Sequence, residues 1–304
     1  MPVKLIAPPH TPLDVRGELN LGIVERQAEH FQKTGVSGVF VCGSTGEGPS
    51  LTVNERLALA ERWVEVARSS NLDVIVQVGS NCQPDAIRLA EHAAATGAQA
   101  VSSLAPCYFK PSSVDDLIDF FEPIAKAASS LPFYFYDIPA LTGVALPTVE
   151  FLQRAAERLP NLAGVKYTNG DLIQFQECVR LDGGRYEIWF GCDEALLAGY
   201  ALGASGAVGS TYNFAAPLYH EMIAAYDEGD GEAARRLQAK SVELIRTCQS
   251  FGYSAAAKAV MSIIGIDCGP VRSPLRNLTA EQMKRLRQQL ERLEVLDLTE
   301  MPVA

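Results

Sequence analysis

The sequence predicts a closed (β/α)8 barrel of parallel strands followed by a helical C-terminal extension. Three observations carry this expectation. Eight short apolar, β-rich runs recur along the chain, and segments of helical periodicity separate them at intervals of roughly 20 to 35 residues. After Thr211 the strand signal stops while helical patterns continue.

The runs are "VKLIAP" from Val3, "GVFVCG" from Gly38, "DVIVQVG" from Asp73, "AVSSLAP" from Ala100, "PFYFYDI" from Pro132, "LAGVKY" from Leu162, "YEIWFGCD" from Tyr186 and "GAVGST" from Gly206. Nearly continuous apolar runs mark strands covered on both faces, as in a parallel sheet wrapped by helices. The fifth is bracketed by Pro132 and Pro139, which set its limits. Between the runs, "VNERLALAERWVEVARSS", "PDAIRLAEHAAATG" and "VDDLIDFFEPIAKAA" have helical spacing. Asn20 is expected to cap the first helix, Thr52 and Glu55 to form a capping box on the second, and Asp171 to cap "LIQFQECVR". Beyond the eighth run, helical patterns cover 215–228, 231–250, 254–264 and 279–293. Only the first is needed to complete an eighth unit. Residues 1–228 are therefore assigned to the barrel and 229–304 to the extension, with "GIDCGPVRSP" as its linker.

A chain of 304 residues, 48% hydrophobic, can bury a core of this size. Its formal charge of -10, with no run of lysine and arginine, argues against nucleic acid and anionic membrane as partners but leaves a small anionic substrate open. Seven scattered cysteines form no CxxC pair, so reduced thiols and a cytoplasmic location are expected. The opening "MPVKLIAPPHTPLDV" lacks a signal-peptide pattern. The weakly polar "ALLAGYALGASGAVG" is too short and glycine-rich for a membrane span. His10, His30, His92 and His220 are dispersed without helical ligand spacing; neither a metal nor another cofactor is expected.

In such a barrel the chemistry sits at the carboxyl ends of the strands. Those ends are "GSTGE" at Gly43, "PCYFK" at Pro106, Tyr136 with Asp137, "KYT" at Lys166, "GCDE" at Gly191 and "GST" at Gly209. Apart from Lys4 near the chain start, Lys166 is the lysine inside an apolar strand run. Alternation places Gly164, Lys166 and Thr168 on one face, with Gly164 expected to clear space beneath the ammonium. A buried lysine is either an ion-pair member or an amine whose pKa falls far enough for Schiff-base chemistry. Tyr136, ending the neighbouring strand, is either a satisfied core tyrosine or the proton carrier beside that amine. Asp137 faces the other way and serves the turn. Ser44 and Thr45, with backbone N–H groups of their loop, suit a carboxylate, although such residues also fill ordinary βα turns.

With these residues in place the chain resembles the class I pyruvate-dependent lyase family that contains dihydrodipicolinate synthase and N-acetylneuraminate lyase. The resemblance spans nearly the whole chain, through "TPLDVRGELN", "GSTGEG", "YDIPALTGV", "GVKYTNGDL", "FGCDE" and "GAVGSTYN". "IPALTGV", the "DE" pair and "GSTYN" are similar to its N-acetylneuraminate lyase branch. The synthase branch carries an arginine for a second carboxylate where this chain has Leu141. The resemblance implies Lys166 as Schiff-base lysine, Tyr136 as proton shuttle, and Ser44 and Thr45 on the pyruvoyl carboxylate. It places Thr168, Gly191, Asp193, Glu194, Gly209 and Ser210 around a polyhydroxy tail, and Tyr108 at a neighbouring subunit's site in a homotetramer. Asp137 departs from the asparagine or histidine expected after the tyrosine.

The activity so implied is reversible cleavage of a keto-acid sugar, N-acetylneuraminate, to pyruvate and N-acetylmannosamine. The alternatives are a sister aldolase acting on another 2-keto-3-deoxy sugar acid, or a synthase-like condensation. A flavin or phosphate barrel using "GASGAVGS" would give a yellow protein or a phosphate site, and Lys166 argues against it. A sialic acid binder without turnover would not need Lys166 and Tyr136 together. Asp193 has a second reading, as the cap of the helix that starts at Glu194.

Overall fold

The computed structural model describes residues 3–296, and its eight parallel strands close into a barrel in chain order. They are β1 (Lys4–Ala7), β2 (Gly38–Val41), β3 (Asp73–Gln77), β4 (Ala100–Leu104), β5 (Phe133–Asp137), β6 (Leu162–Tyr167), β7 (Glu187–Phe190) and β8 (Gly206–Val208), one within each expected run. β8 closes on β1 with Lys4 beside Gly206 and Ile6 beside Val208. The outer layer comprises α1 (Val24–Lys33), α2 (Val53–Ser70), α3 (Gln83–Thr96), α4 (Val114–Ala127), the single turn α5 (Pro139–Thr142), α6 (Thr148–Ala155), α7 (Leu172–Arg180), α8 (Leu196–Ala201) and α9 (Tyr212–Asp227).

Period-2 alternation sorts the side chains into two cores. Val39, Val41, Val74, Val76, Phe133, Phe135 and Val165 face the helices, whereas Phe40, Ile75, Tyr134, Tyr136, Trp189 and Val208 fill the barrel. Tyr134 stacks on Trp189 with ring centroids 3.9 Å apart, and its hydroxyl donates to Glu187 Oε2 at 2.8 Å. These rings fill the barrel beneath Tyr136 and Lys166. Within the barrel, space remains above them, at the strands' carboxyl ends.

The Thr52–Glu55 capping box opens α2, and Asp171 caps α7 by accepting from the N–H groups of Ile173 and Gln174. Asn20 does not cap α1. A 3-10 turn at Leu21–Ile23 intervenes, and the side chain of Asn20 makes no capping bond. Its backbone N–H is already bound by the Pro12 carbonyl, beside an antiparallel bridge between Leu13 and Leu19 that fixes the chain entry.

Three helices continue after α9: α10 (Gly231–Ser250), α11 (Tyr253–Ile263) and α12 (Ala280–Leu293). Residues 1–2 of the expected barrel and 297–304 of the expected extension lie outside the described residues. α11 is buried along almost its whole length, including Lys258. Lys258 Nζ lies 2.9 Å from Glu47 Oε1, and both side chains are only 3% exposed. It also donates to the Pro270 carbonyl at 2.7 Å. The backbone N–H of Arg272 donates to Glu47 Oε2 at 2.8 Å. The region after the barrel thus holds the loop that leaves β2. Among the described residues no helix is long and apolar enough to cross a membrane.

Candidate active site

Lys166 pairs in register with Tyr136 on β5 and Trp189 on β7. Register partners in parallel strands project to the same side, so all three point into the barrel. Lys166 is 3% exposed, and its Nζ lies 4.0 Å from the Phe40 ring centroid and 3.9 Å from that of Tyr136. Burial lowers the amine to a pKa of about 7, against the opposing pull of Asp193 and Cys192. Gly164 does not act as the sequence suggested. A Cβ there would meet the Glu187 carbonyl oxygen at 1.8 Å, so the glycine permits the close approach of β6 to β7 and does not clear room beneath the ammonium.

The Tyr136 hydroxyl lies 3.4 Å from Ser44 Oγ, and its ring meets Phe40 edge-on at 5.4 Å. Burial raises the phenol to a pKa of about 12, so it stays protonated over the working range. Ser44 and Thr45 sit on a loop that folds tightly on itself. Cys42 and Glu47 take left-handed backbone angles, φ 61° and 53°. A Cβ on Gly48 would meet the Cys42 carbonyl oxygen at 2.0 Å, and one on Gly46 the Pro9 carbonyl oxygen at 2.9 Å. Such strain persists only where surroundings over-determine it; here the Glu47–Lys258 pair does so.

Asp137 faces outward, as alternation requires. Its Oδ2 accepts from Thr148 Oγ1 at 3.0 Å and Asn169 Nδ2 at 3.2 Å, joining the start of α6 to the exit of β6. Burial raises its pKa to about 6.

A cavity of about 300 Å³ opens between these groups, and Ser44, Thr45, Tyr136, Lys166, Thr168, Gly191, Asp193 and Ser210 all border it. Thr168 Oγ1 is buried without a hydrogen-bond partner. A Cβ on Gly191 would fall 2.0 Å from that oxygen, so the glycine makes its room. Asp193 Oδ2 accepts from Thr211 N at 2.9 Å and Thr211 Oγ1 at 2.5 Å; it ties the exits of β7 and β8 and caps no helix. Burial raises its pKa. Glu194, Gly209 and Tyr108 do not border the cavity. Glu194 is exposed, a Cβ on Gly209 would meet Tyr212 and Asp193, and Tyr108 is 77% exposed beside Phe109.

Sequence reasoning missed Pro8, His10, Ile138, Val208, Tyr253 and Ser254, which also border the cavity, as does Leu141. Tyr253, from α11, lies 2.5 Å from Ser210 Oγ through its hydroxyl. The end of β1 is a strand exit like the others, and His10 lies just beyond it. Lys258, a lysine within the apolar "AAAKAV", was the signal that the extension enters the site.

The chain matches the sequence profile of the Dihydrodipicolinate synthetase family over residues 1–293. It is 41% identical to N-acetylneuraminate lyase A of Xenopus laevis over 274 residues, 89% of this chain and 90% of that protein. Its fold superposes on the Proteus mirabilis N-acetylneuraminate lyase with a TM-score of 0.94 at 41% identity, covering 97% of this chain and 99% of that one. A Ruminococcus gnavus sialic acid aldolase, solved as a catalytic lysine mutant, superposes with a TM-score of 0.90 at 30% identity over 95% of this chain and 94% of that chain.

Proposed function

The chain belongs to the dihydrodipicolinate synthetase family, and from that premise we propose that it is a class I aldolase cleaving N-acetylneuraminate reversibly to pyruvate and N-acetylmannosamine. The observation that carries the reading is the Lys166 amine, buried, lowered to a pKa of about 7 and sharing one cavity with Tyr136, Ser44 and Thr45. At neutral pH a large share of such an amine is unprotonated and nucleophilic.

The substrate's C2 ketone condenses with Lys166 Nζ, and water leaves to give the iminium. Tyr136 gives and takes the protons of these steps, and with the substrate carboxylate relays the proton from the C4 hydroxyl. A phenol with a pKa near 12 suits a relay better than a standing base. The C3–C4 electron pair moves into the iminium, N-acetylmannosamine departs, and the enamine takes a proton at C3 before water hydrolyses it to pyruvate and free Lys166. Ser44 and Thr45 hold the carboxylate by neutral donors. Thr168, Asp193 and Ser210 face the polyol tail, and the same role is proposed for Gly191, Gly209 and Glu194 at the cavity or its edge. Leu141 at the cavity offers no cation for a second carboxylate, which favours a sugar acid over a synthase-like condensation.

The proposal extends to a homotetramer in the cytoplasm, with Tyr108 meeting a neighbouring subunit's site. The outward Tyr108 and Phe109, 77% and 85% exposed, and seven unpaired thiols support it. The segment after residue 228 is read as part of the working enzyme, because Tyr253 and Ser254 line the cavity.

Borohydride added with pyruvate should fix mass on the peptide carrying Lys166, and Lys166→Arg should remove it. Wild-type protein that traps pyruvate but turns over only a shorter 2-keto-3-deoxy acid, or condenses pyruvate with aspartate semialdehyde, would keep the mechanism and overturn the substrate.

A further inference from the structure

Behind Asp193 runs a file of buried hydroxyls. Thr211 Oγ1 donates to Asp193 Oδ2 at 2.5 Å and lies 2.6 Å from the Tyr219 hydroxyl. On the far side of that phenol stands Ser241, whose Oγ accepts from Gln238 Nε2 at 2.6 Å. Thr211, Tyr219 and Ser241 are fully buried, and none of them borders the cavity. The file joins α9 and α10 to the exits of β7 and β8.

The protons give it a direction. A hydroxyl has one proton to donate, and an ionised carboxylate can only accept. Thr211 gives its proton to Asp193, so the bond between Thr211 and Tyr219 must be donated by the phenol. Tyr219 then turns only lone pairs toward Ser241. The amide of Gln238 is fixed as well: its Oε1 accepts from the Leu197 N–H at 2.8 Å, so its Nε2 faces Ser241 and, at 3.2 Å, the Asp193 carbonyl. The donors therefore all point toward Asp193. Consecutive bonds aligned in this way polarise one another, which strengthens Thr211 as the last donor.

Asp193 borders the cavity. Burial favours its neutral form, and the side-chain and backbone bonds from Thr211 oppose that tendency. They fill part of the roughly four acceptor sites of a carboxylate, and the remainder can serve a ligand. A core tyrosine needs only one acceptor for its hydroxyl; here that acceptor is the residue that holds the carboxylate at the site. We propose that Tyr219 is a positioning residue, whose hydroxyl fixes the Thr211 hydroxyl as a donor to Asp193 and so keeps the carboxylate set to accept from the hydroxyls of the substrate's polyol tail. This rests on the N-acetylneuraminate reading above.

The test compares wild type, Tyr219→Phe, Thr211→Val and the double variant at pH 8. Three quantities are measured: KM and kcat on N-acetylneuraminate, half-saturation of borohydride trapping by pyruvate, and Tm. KM should rise about 10-fold in Thr211→Val, which removes a hydrogen bond to a charged group, and about 5-fold in Tyr219→Phe, which weakens it. The double variant should match Thr211→Val alone, because the phenol acts only through that hydroxyl. Half-saturation by pyruvate, which has no polyol tail, should be the same in all four. An unchanged KM in either single variant overturns the proposal and leaves the aldolase reading standing. So do single effects that multiply in the double variant, and so does a pyruvate half-saturation that rises in step with KM as Tm falls, which marks packing alone. Wild-type protein that traps pyruvate without cleaving N-acetylneuraminate overturns the substrate reading and this role with it.

Discussion

Lys166 Nζ lies 3.9 Å from the centre of the Tyr136 ring, not against its hydroxyl. The aromatic face favours the cation, yet the loss of water around the buried amine outweighs that attraction and the pull of Asp193, and the net shift is downward. The phenol oxygen points instead toward Ser44, where a keto-acid carboxylate is proposed to sit. One side chain thus shields the amine and carries its hydroxyl to the place proposed for the substrate.

The rate of adduct formation at subsaturating pyruvate should rise with pH and level off above about 7, as the neutral amine becomes the major form. Stopped borohydride trapping between pH 5.5 and 9 checks it. A bend above pH 9.5 would mean that the amine is not lowered.

Lys166→Met should stabilise the protein. The folded amine has a pKa of about 7 against 10.5 for the ordinary side chain, so the unfolded chain binds more protons between those values and stability rises with pH. The lysine's contribution is complete above 10.5 and lost as pH falls to about 7. Removing it should therefore gain on the order of 5 kcal/mol at pH 6 and less at pH 9, read by urea unfolding at both. An equal gain at the two pH values would trace it to packing.

Tyr136→Phe removes an oxygen whose hydrogen-bond contact, Ser44 Oγ, is long at 3.4 Å. The Tm should shift little, while kcat drops by about 10²-fold or more, the usual weight of positioned proton transfer. Undiminished turnover would return Tyr136 to a packing residue.

Asp137→Asn should stabilise at neutral pH. Its carboxyl, raised to about 6 from 3.8, favours the protonated form; that contribution is full below 3.8 and lost as pH rises through about 6. Asparagine keeps an oxygen for the Thr148 hydroxyl and carries no charge. A gain of about 2 to 3 kcal/mol at pH 7 should shrink toward zero near pH 3.5. Melting curves across that range test it, and destabilisation at pH 7 would show that the charge-assisted bonds to Thr148 and Asn169 outweigh desolvation.

The strands and the pairing of Tyr136 with Lys166 were legible because a covered strand must be apolar and alternate strictly, so a lysine in "LAGVKY" had one place to point. Caps written in short range, Thr52 with Glu55 and Asp171, were equally legible. Asn20 misled because a tight antiparallel bridge between Leu13 and Leu19 and the bond from the Asn20 N–H to the Pro12 carbonyl fold the entry back on itself, and neither leaves a capping pattern in the sequence. Gly164 was assigned to the right face for the wrong reason, since what it avoids is the backbone of the next strand. His10, Tyr253 and Ser254 were missed because each reaches the cavity from outside a strand, His10 from the loop after β1 and the other two from the first turn of α11, a helix buried nearly all round that shows no single apolar face. The environment of Lys258 depends on Glu47, 211 positions earlier in the sequence; a lysine in an apolar run marks a buried charge, but nothing local names its partner.

That separation has a consequence during synthesis. Glu47 emerges from the ribosome early, and its left-handed turn has no counter-charge until Lys258 follows. The barrel's strands can pair beforehand, but the loop bearing Ser44 and Thr45 has no anchor, and the wall formed by Tyr253 and Ser254 does not yet exist. Catalytic competence is therefore acquired late in translation, in a step distinct from closing the barrel. A nascent chain stalled before α11 should bind no pyruvate even where its sheet is already formed.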